Sequence, residues 1–307
     1  FCEQFLAPLA LMARRDIRLG SLLATRPDGI PLDLAARLLP GRTRLNPGLA
    51  THIRLHARAQ RANEARGDEA ADAARRARVG RLGGEALIDN LRRTVAALDW
   101  EPAGTPWADY DRDGEAATAK DAIVRELLVA AGGEVVWDLG ANVGRHSAIG
   151  AELGRRVVAL DADPAAVERH YRALRDRGET RILPLLVDLA NPTPATGWAL
   201  TERRSLLARA DADVVLALAL IHHLAIGDNI PLDRVADLFA TLAPGLIVEW
   251  VDRDDPMVRR LLATREDVFR DYHEAGFRAA FGRRFAIDDE RPIPGTHRKV
   301  FRLSRGR

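Results

Sequence analysis

Residues 135–144 read Val-Val-Trp-Asp-Leu-Gly-Ala-Asn-Val-Gly, and no other stretch constrains the fold so sharply. The apolar run before Gly140 has the make-up of a strand buried on both faces. The glycines that follow let the backbone approach a ligand where a Cβ would clash. A helix is expected over residues 145–153. Open parallel sheets bind ligands at such carboxyl ends, so this loop is a candidate nucleotide cradle with Asp138, Gly140, Ala141, Asn142 and Gly144 as contacts. The second strand, residues 156–160, ends in Asp161, twenty-one residues after Gly140. A carboxylate at that tip accepts hydrogen bonds from both hydroxyls of a ribose, and Ala162 beside it joins the candidate contacts. Asp163 before Pro164 reads as a helix N-cap with proline at the first helical position.

The rest of the chain supports the same architecture. From Lys120 onward, helical patterns alternate with short apolar strands, which is the signature of βαβ units and a parallel sheet. Strands are expected over residues 134–139, 156–160, 181–187, 213–220 and 245–250, with 277–287 and 299–303 closing the sheet. Residues 1–118 read as a helical N-terminal region, with apolar spacings at 5–11, 32–39, 49–55 and 86–98 and prolines between them. Residues 58–81 are Ala, Arg, Asp and Glu with almost no large apolar side chain, a solvated helix or linker rather than core. The sheet domain is placed at 119–307.

Two cofactor classes use a glycine loop followed by an acidic strand tip. A nicotinamide enzyme with Gly-x-Gly-x-x-Gly would carry glycine where Asn142 and Arg145 stand. The form seen here, Asp-x-Gly-x-x-x-Gly from Asp138 to Gly144, resembles that of class I S-adenosylmethionine-dependent methyltransferases. The resemblance continues in order: Leu185-Leu186-Val187-Asp188-Leu189 is similar to the family's third strand end, and Ile221-His222-His223-Leu224 to the fourth. It implies a Rossmann-like sheet of about seven strands with the last pair antiparallel, and S-adenosylmethionine as cofactor with S-adenosylhomocysteine as product. It also implies the methionine part against residues 140–144, ribose on Asp161, and adenine near Asp188 and Leu189, with Leu218 also in contact. A narrower resemblance covers nearly the whole chain. Phe5-Leu6-Ala7-Pro8-Leu9-Ala10-Leu11, Asp28-Gly29-Ile30-Pro31-Leu32, residues 217–224 and Asp255-Pro256-Met257-Val258 look like bacterial methyltransferase-like proteins, some labelled nodulation proteins. Members have a longer N-terminal part that looks kinase-like. The abrupt opening at Phe1, with neither Met nor a signal-peptide pattern, fits an upstream segment of that kind.

The acceptor side is expected beyond strands four and five. His222 or His223 is a candidate general base, because an imidazole titrates near neutrality; the alternative is that one packs and the other caps a loop. Glu249, at the tip of strand five, either meets an acceptor or is a paired buried carboxylate. Trp107 and Tyr110 are candidates to cover the sulfonium through their aromatic faces, against the plainer alternative of packing. Asp252, Asp254 and Asp255 read as a solvated loop and helix cap rather than a metal site, and His52 with His56 as a surface helix face.

Composition narrows the function classes. Cys2 is the only cysteine, which excludes an internal disulfide or cysteine-cluster zinc site and suits a reducing cytoplasm. No apolar run reaches the ~18 residues of a membrane helix. Residues 37–93 hold thirteen Arg against six Asp or Glu, but the acids are interleaved and no Phe, Trp or Tyr lies between Phe5 and Trp100 to stack a base. That weighs against a nucleic-acid partner, and the likeness of residues 221–224 to the strand-four end of many small-molecule methyltransferases implies a small-molecule acceptor. RNA methylation, transfer of the cofactor's aminocarboxypropyl chain, its cyclisation, and a non-catalytic docking module stand as the alternatives.

Overall fold

A computed structural model gives the structure of the chain and describes residues 1–66, 80–102, 115–263 and 266–305. The chain divides into two compact units, one of Phe1–Glu101 with Pro194–Arg204 and one of Pro102–Thr193 with Ser205–Arg307.

The first unit is helical: α1 (Ala7–Arg14), α2 (Leu32–Leu38), α3 (His56–Arg66) and α4 (Arg81–Ala96). Its apolar spacings converge on one core, where Leu6, Leu11, Ile30, Leu32, Leu49 and Ile53 are fully buried and Leu91 and Val95 of α4 pack against them. Arg54 donates from its guanidinium to the carbonyls of Ala36, Leu39 and Pro40 and to the Thr43 hydroxyl. One planar fork thus satisfies the carbonyls left at the end of α2. His52 departs from the expected surface face: it is buried, with Nε2 at 2.8 Å from Oδ1 of Asn90, while His56 is exposed.

The second unit is a seven-stranded sheet in the order β3-β2-β1-β4-β5-β7-β6. Its strands are β1 (Val135–Leu139), β2 (Arg156–Asp161), β3 (Ile182–Leu186), β4 (Val214–Ala217), β5 (Gly245–Val251), β6 (Ala286–Pro292) and β7 (Arg298–Ser304). The first five run parallel, and β7 is antiparallel to both β5 and β6, as the resemblance implied. The helices are α5 (Glu115–Ala131), α6 (Arg145–Glu152), α7 (Pro164–Arg177), α8 (Leu232–Leu242), α9 (Pro256–Leu262) and α10 (Glu274–Phe281).

Both sheet faces are covered, which is why the inner strands read as continuous apolar runs. Trp137, Val215, Val248 and Trp250 join Val235 and Phe239 of α8 and Phe277 and Phe281 of α10 in one core. Val136, Leu216, Ile247 and Val300 meet Val124, Leu127 and Leu128 of α5 on the other face.

The expected strand over 277–287 is corrected: its first part is α10, and the strand begins at Ala286. Phe277, Ala280 and Phe281 follow helical spacing on the buried face, and Nδ1 of His273 accepts from the Gly276 N–H to cap the helix start. β4 is also shorter than expected, ending at Ala217; Ala219 has a φ of 48°, a left-handed residue that turns the chain out of the ladder.

Candidate functional site

The parallel strands bring their carboxyl ends to one edge. β1 ends at Leu139, and Gly140 and Gly144 take φ values of 71° and 85°, the left-handed region where glycine carries no penalty. The N–H groups of Gly140 and Ala141 both donate to the Leu160 carbonyl, at 2.8 and 3.0 Å, and Gly144 N–H closes on the Ala141 carbonyl at 2.8 Å. The loop is therefore fastened to the tip of β2. Asp138 is buried, with Oδ2 accepting from the Ser147 hydroxyl at 2.6 Å. Burial pushes its carboxyl up, opposed by that hydroxyl and by His146.

Asp161 is the second part of the cradle. Its Oδ2 accepts from the Asn142 N–H at 2.8 Å and its Oδ1 from the Asp163 N–H at 2.8 Å. Main-chain donors thus fix the carboxylate's orientation, and each oxygen keeps capacity for a further donor. Burial raises its pKa, and these hydrogen bonds oppose the rise. Asp163 caps α7 by accepting from Ala165 N–H at 2.8 Å. Ala162, between the two aspartates, is exposed.

Past β3, Asp188 is exposed and its Oδ1 accepts from the Ala190 N–H at 2.9 Å, while Leu189 packs against the core. Leu218 is buried just beyond β4. Tyr110 and Trp107 lie outside the described residues.

Beyond β4, directly after His222, a wide turn spans His223–Gly227 and carries the second of the two candidate histidines. The rings of His222 and His223 are 4.1 Å apart, and His223 is half-buried. His222 is fully buried, and neither ring nitrogen has a hydrogen-bond partner among the described residues. Burial, then His223, Arg298 and Lys120, hold its pKa well below the ordinary histidine range, so the ring is neutral at pH 7.

Glu249 is fully buried and paired twice, with Lys120 Nζ at 2.5 Å from Oε2 and an Arg298 nitrogen at 3.3 Å from Oε1. Arg298 also forks onto Asp255 at 2.7 and 3.1 Å, and Asp255 caps α9 through the Met257 N–H. Burial raises the Glu249 pKa, but the two cations outweigh it and leave the group below its ordinary value. A carboxylate held this way orients its neighbours and is not a free base. Of the other loop acids, Asp254 pairs with Arg259 at 2.8 Å.

Four contributors escaped the sequence reading. Lys120 and Arg298 balance Glu249. Arg145, directly after Gly144, forks onto Asp121 of α5, with Nε at 3.0 and 3.1 Å and a terminal nitrogen at 2.8 Å. His170 of α7 is buried against Gly144. Only Lys120 carried a local signal, as one of two lysines in a chain whose other cations are Arg; the rest depend on long-range pairing.

No family profile matches the chain. The nodulation protein NoeA of Rhizobium meliloti (strain 1021) is 32% identical over 312 residues, which cover 99% of this chain and 65% of that protein. The chain therefore spans just under two thirds of the length of this relative. Among solved structures, the N-methyltransferase NodS from Bradyrhizobium japonicum WM9, in complex with S-adenosyl-L-homocysteine, overlaps 66% of this chain and 94% of its own, with TM-score 0.49 and 11% identity. Magnesium protoporphyrin IX methyltransferase from Synechocystis PCC 6803, with bound SAM, overlaps 67% and 87%, with TM-score 0.44 and 18% identity. The bifunctional kinase-methyltransferase WbdD overlaps 66% and 42%, with TM-score 0.44 and 15% identity. These overlays are partial, and the fold class rests on the strand order itself. That order, with its antiparallel β7 inserted between β5 and β6, gives the chain the Rossmann-like sheet expected of its sequence, with the glycine loop and a carboxylate at the tips of β1 and β2.

Proposed function

We propose that the chain transfers a methyl group from S-adenosylmethionine to a small-molecule acceptor. The observation that carries this reading is Asp161, whose two carboxylate oxygens are aimed by main-chain N–H groups at the tip of β2, beside a loop in left-handed backbone. The residues fit that cofactor. A diol finds an acceptor pair in Asp161, and the loop 140–144 presents its backbone through the left-handed turns at Gly140 and Gly144, the latter packed against His170. Asp188 and Leu189 would flank adenine, with Leu218, which shares an apolar cluster with Ala141, also in contact.

Bound, the cofactor supplies an electrophilic methyl on a sulfonium. In-line displacement there depends mainly on alignment, so the chain's task is to bind, orient and exclude water. For an acceptor that must lose a proton, the neutral ring of His222 is the proton acceptor and the tilted ring of His223 packs against it. Glu249, with Lys120 and Arg298, acts as a positioning group behind them.

Calorimetric titration with S-adenosylmethionine, S-adenosylhomocysteine and NADH tests the reading. Saturable binding of the first two and none of the third supports it; binding of NADH alone, or of none, overturns it. Product mass then separates methylation from transfer of the aminocarboxypropyl chain, which would release methylthioadenosine.

A further inference from the structure

A second concavity lies along the same carboxyl edge and shares no residue with the loop 140–144, Asp161 or Asp188. It is a groove of about 700 Å³, walled by the start of α8, by residues 268–272 and by α10. Topology places it there: α8 follows the turn beyond β4 and α10 follows the connection beyond β5, so both helices begin at the edge where the parallel strands end. The volume is within the ~300 to 1,000 Å³ of sites that enclose a small organic molecule.

The walls are built rather than incidental. Arg253 donates to the Phe269 carbonyl at 2.8 Å and pairs with Asp267, which ties down the segment that forms one side. The buried Tyr272 donates from its hydroxyl to the Val251 carbonyl at 2.8 Å, which fixes the base of that segment on β5. Ile230, Leu232, Phe269 and Ala280 contribute apolar side chains to the lining.

Charge sets the ligand class. Arg234, Arg270 and Arg283 line the groove with Asp233 and Asp271, an excess of one positive charge. Arg270 and Arg283 are exposed, and their guanidinium groups have no ion-pair or hydrogen-bond partner among the described residues, whereas most arginines of this unit are paired through theirs. Apolar lining together with two guanidinium groups that have no partner among the described residues, and one net charge to neutralise, matches an apolar body that ends in a monoanion. A planar guanidinium fork suits a carboxylate.

We propose that this groove is a ligand site for an amphipathic monocarboxylate. Its occupancy does not depend on the methyltransferase reading.

Decanoate, with decylamine as the matched cation, is the probe, titrated calorimetrically against the full chain, Arg270→Ala/Arg283→Ala and Ala279→Trp. All three replaced side chains are exposed, and unchanged circular dichroism checks the fold. Decanoate should bind saturably at one site. The double variant should lose at least about tenfold in affinity, as expected for a charge-assisted contact, and Ala279→Trp should abolish binding by filling the groove. No saturable binding, equal binding of decylamine, or decanoate affinity unchanged in both variants would overturn the proposal. S-adenosylhomocysteine titrated against the same three proteins reads the cradle separately, so loss of the groove and loss of the cofactor reading are distinguishable.

Discussion

Gly144→Ala is the replacement that asks most of the cradle. A Cβ at this position would fall 2.0 Å from Nε2 of His170, 2.2 Å from its Cε1 and 2.5 Å from its Cδ2. His170 is 3% exposed, so the ring has no free volume to swing into. Two costs combine. Left-handed backbone at a φ of 85° costs a non-glycine residue about 1–2 kcal/mol, and forcing the packed ring aside costs about 1–3 kcal/mol more. The loop shares its turn with Gly140, so the displacement should also weaken S-adenosylhomocysteine. The double variant Gly144→Ala/His170→Ala separates the two costs, because removing the ring relieves the overlap and leaves the backbone penalty. Urea titrations of the four proteins, followed by circular dichroism, should show a coupling of about 1–3 kcal/mol, with S-adenosylhomocysteine affinity partly restored in the double variant. Additivity within about 0.5 kcal/mol would refute the reasoning, since it would mean that the methyl and the ring never meet.

Asp161→Ala should weaken S-adenosylhomocysteine at least about tenfold by calorimetry, because a charge-assisted contact contributes ~1.5 to 3 kcal/mol; unchanged affinity removes Asp161 from the site. His170 has its pKa lowered to about 4 by burial and then by Arg177. The unfolded chain takes up that proton first, near pH 6.5, so stability from this group is full above about 6.5 and falls as pH drops towards 4. Melts across that range should show the fall, and His170→Gln should flatten it; an equal slope in both would exclude the group. Lys120→Met leaves the buried Glu249 with Arg298 as its remaining cation and should cost up to about 3–5 kcal/mol, much of it recovered in Lys120→Met/Glu249→Gln. A double variant no more stable than the single one would show that the pair does not set the cost.

The backbone of the candidate cradle was legible because it is local. The sequence Asp138 to Gly144 and the carboxylate at Asp161 lie within two consecutive strands, where a buried strand and a left-handed turn leave composition signals. The last part of the sheet was not. β6 reads Ala-Ile-Asp-Asp-Glu-Arg-Pro, with none of the alternation of a half-buried strand, because it is an outer strand held by ion pairs: Glu290 with Arg278 and Lys299, and Asp288 with Arg302. The apolar residues before it were assigned to a strand although their spacing is helical. Glu249 was seen as either an acceptor group or a paired carboxylate; its partners sit on α5 and β7, and no local pattern names them. His52 likewise finds Asn90 on a helix far along the chain.

The two outer strands govern how the molecule meets its own copies. At one margin β3 carries Pro184, which has no N–H to offer a further strand; at the other, β6 presents Asp288, Asp289, Glu290 and Arg291. A sheet rimmed by a missing donor on one side and clustered charge on the other does not lengthen by strand addition. At high concentration the protein should therefore resist fibre-like growth by this sheet, so thioflavin binding on prolonged storage should stay low unless Pro184 or the acidic run is replaced.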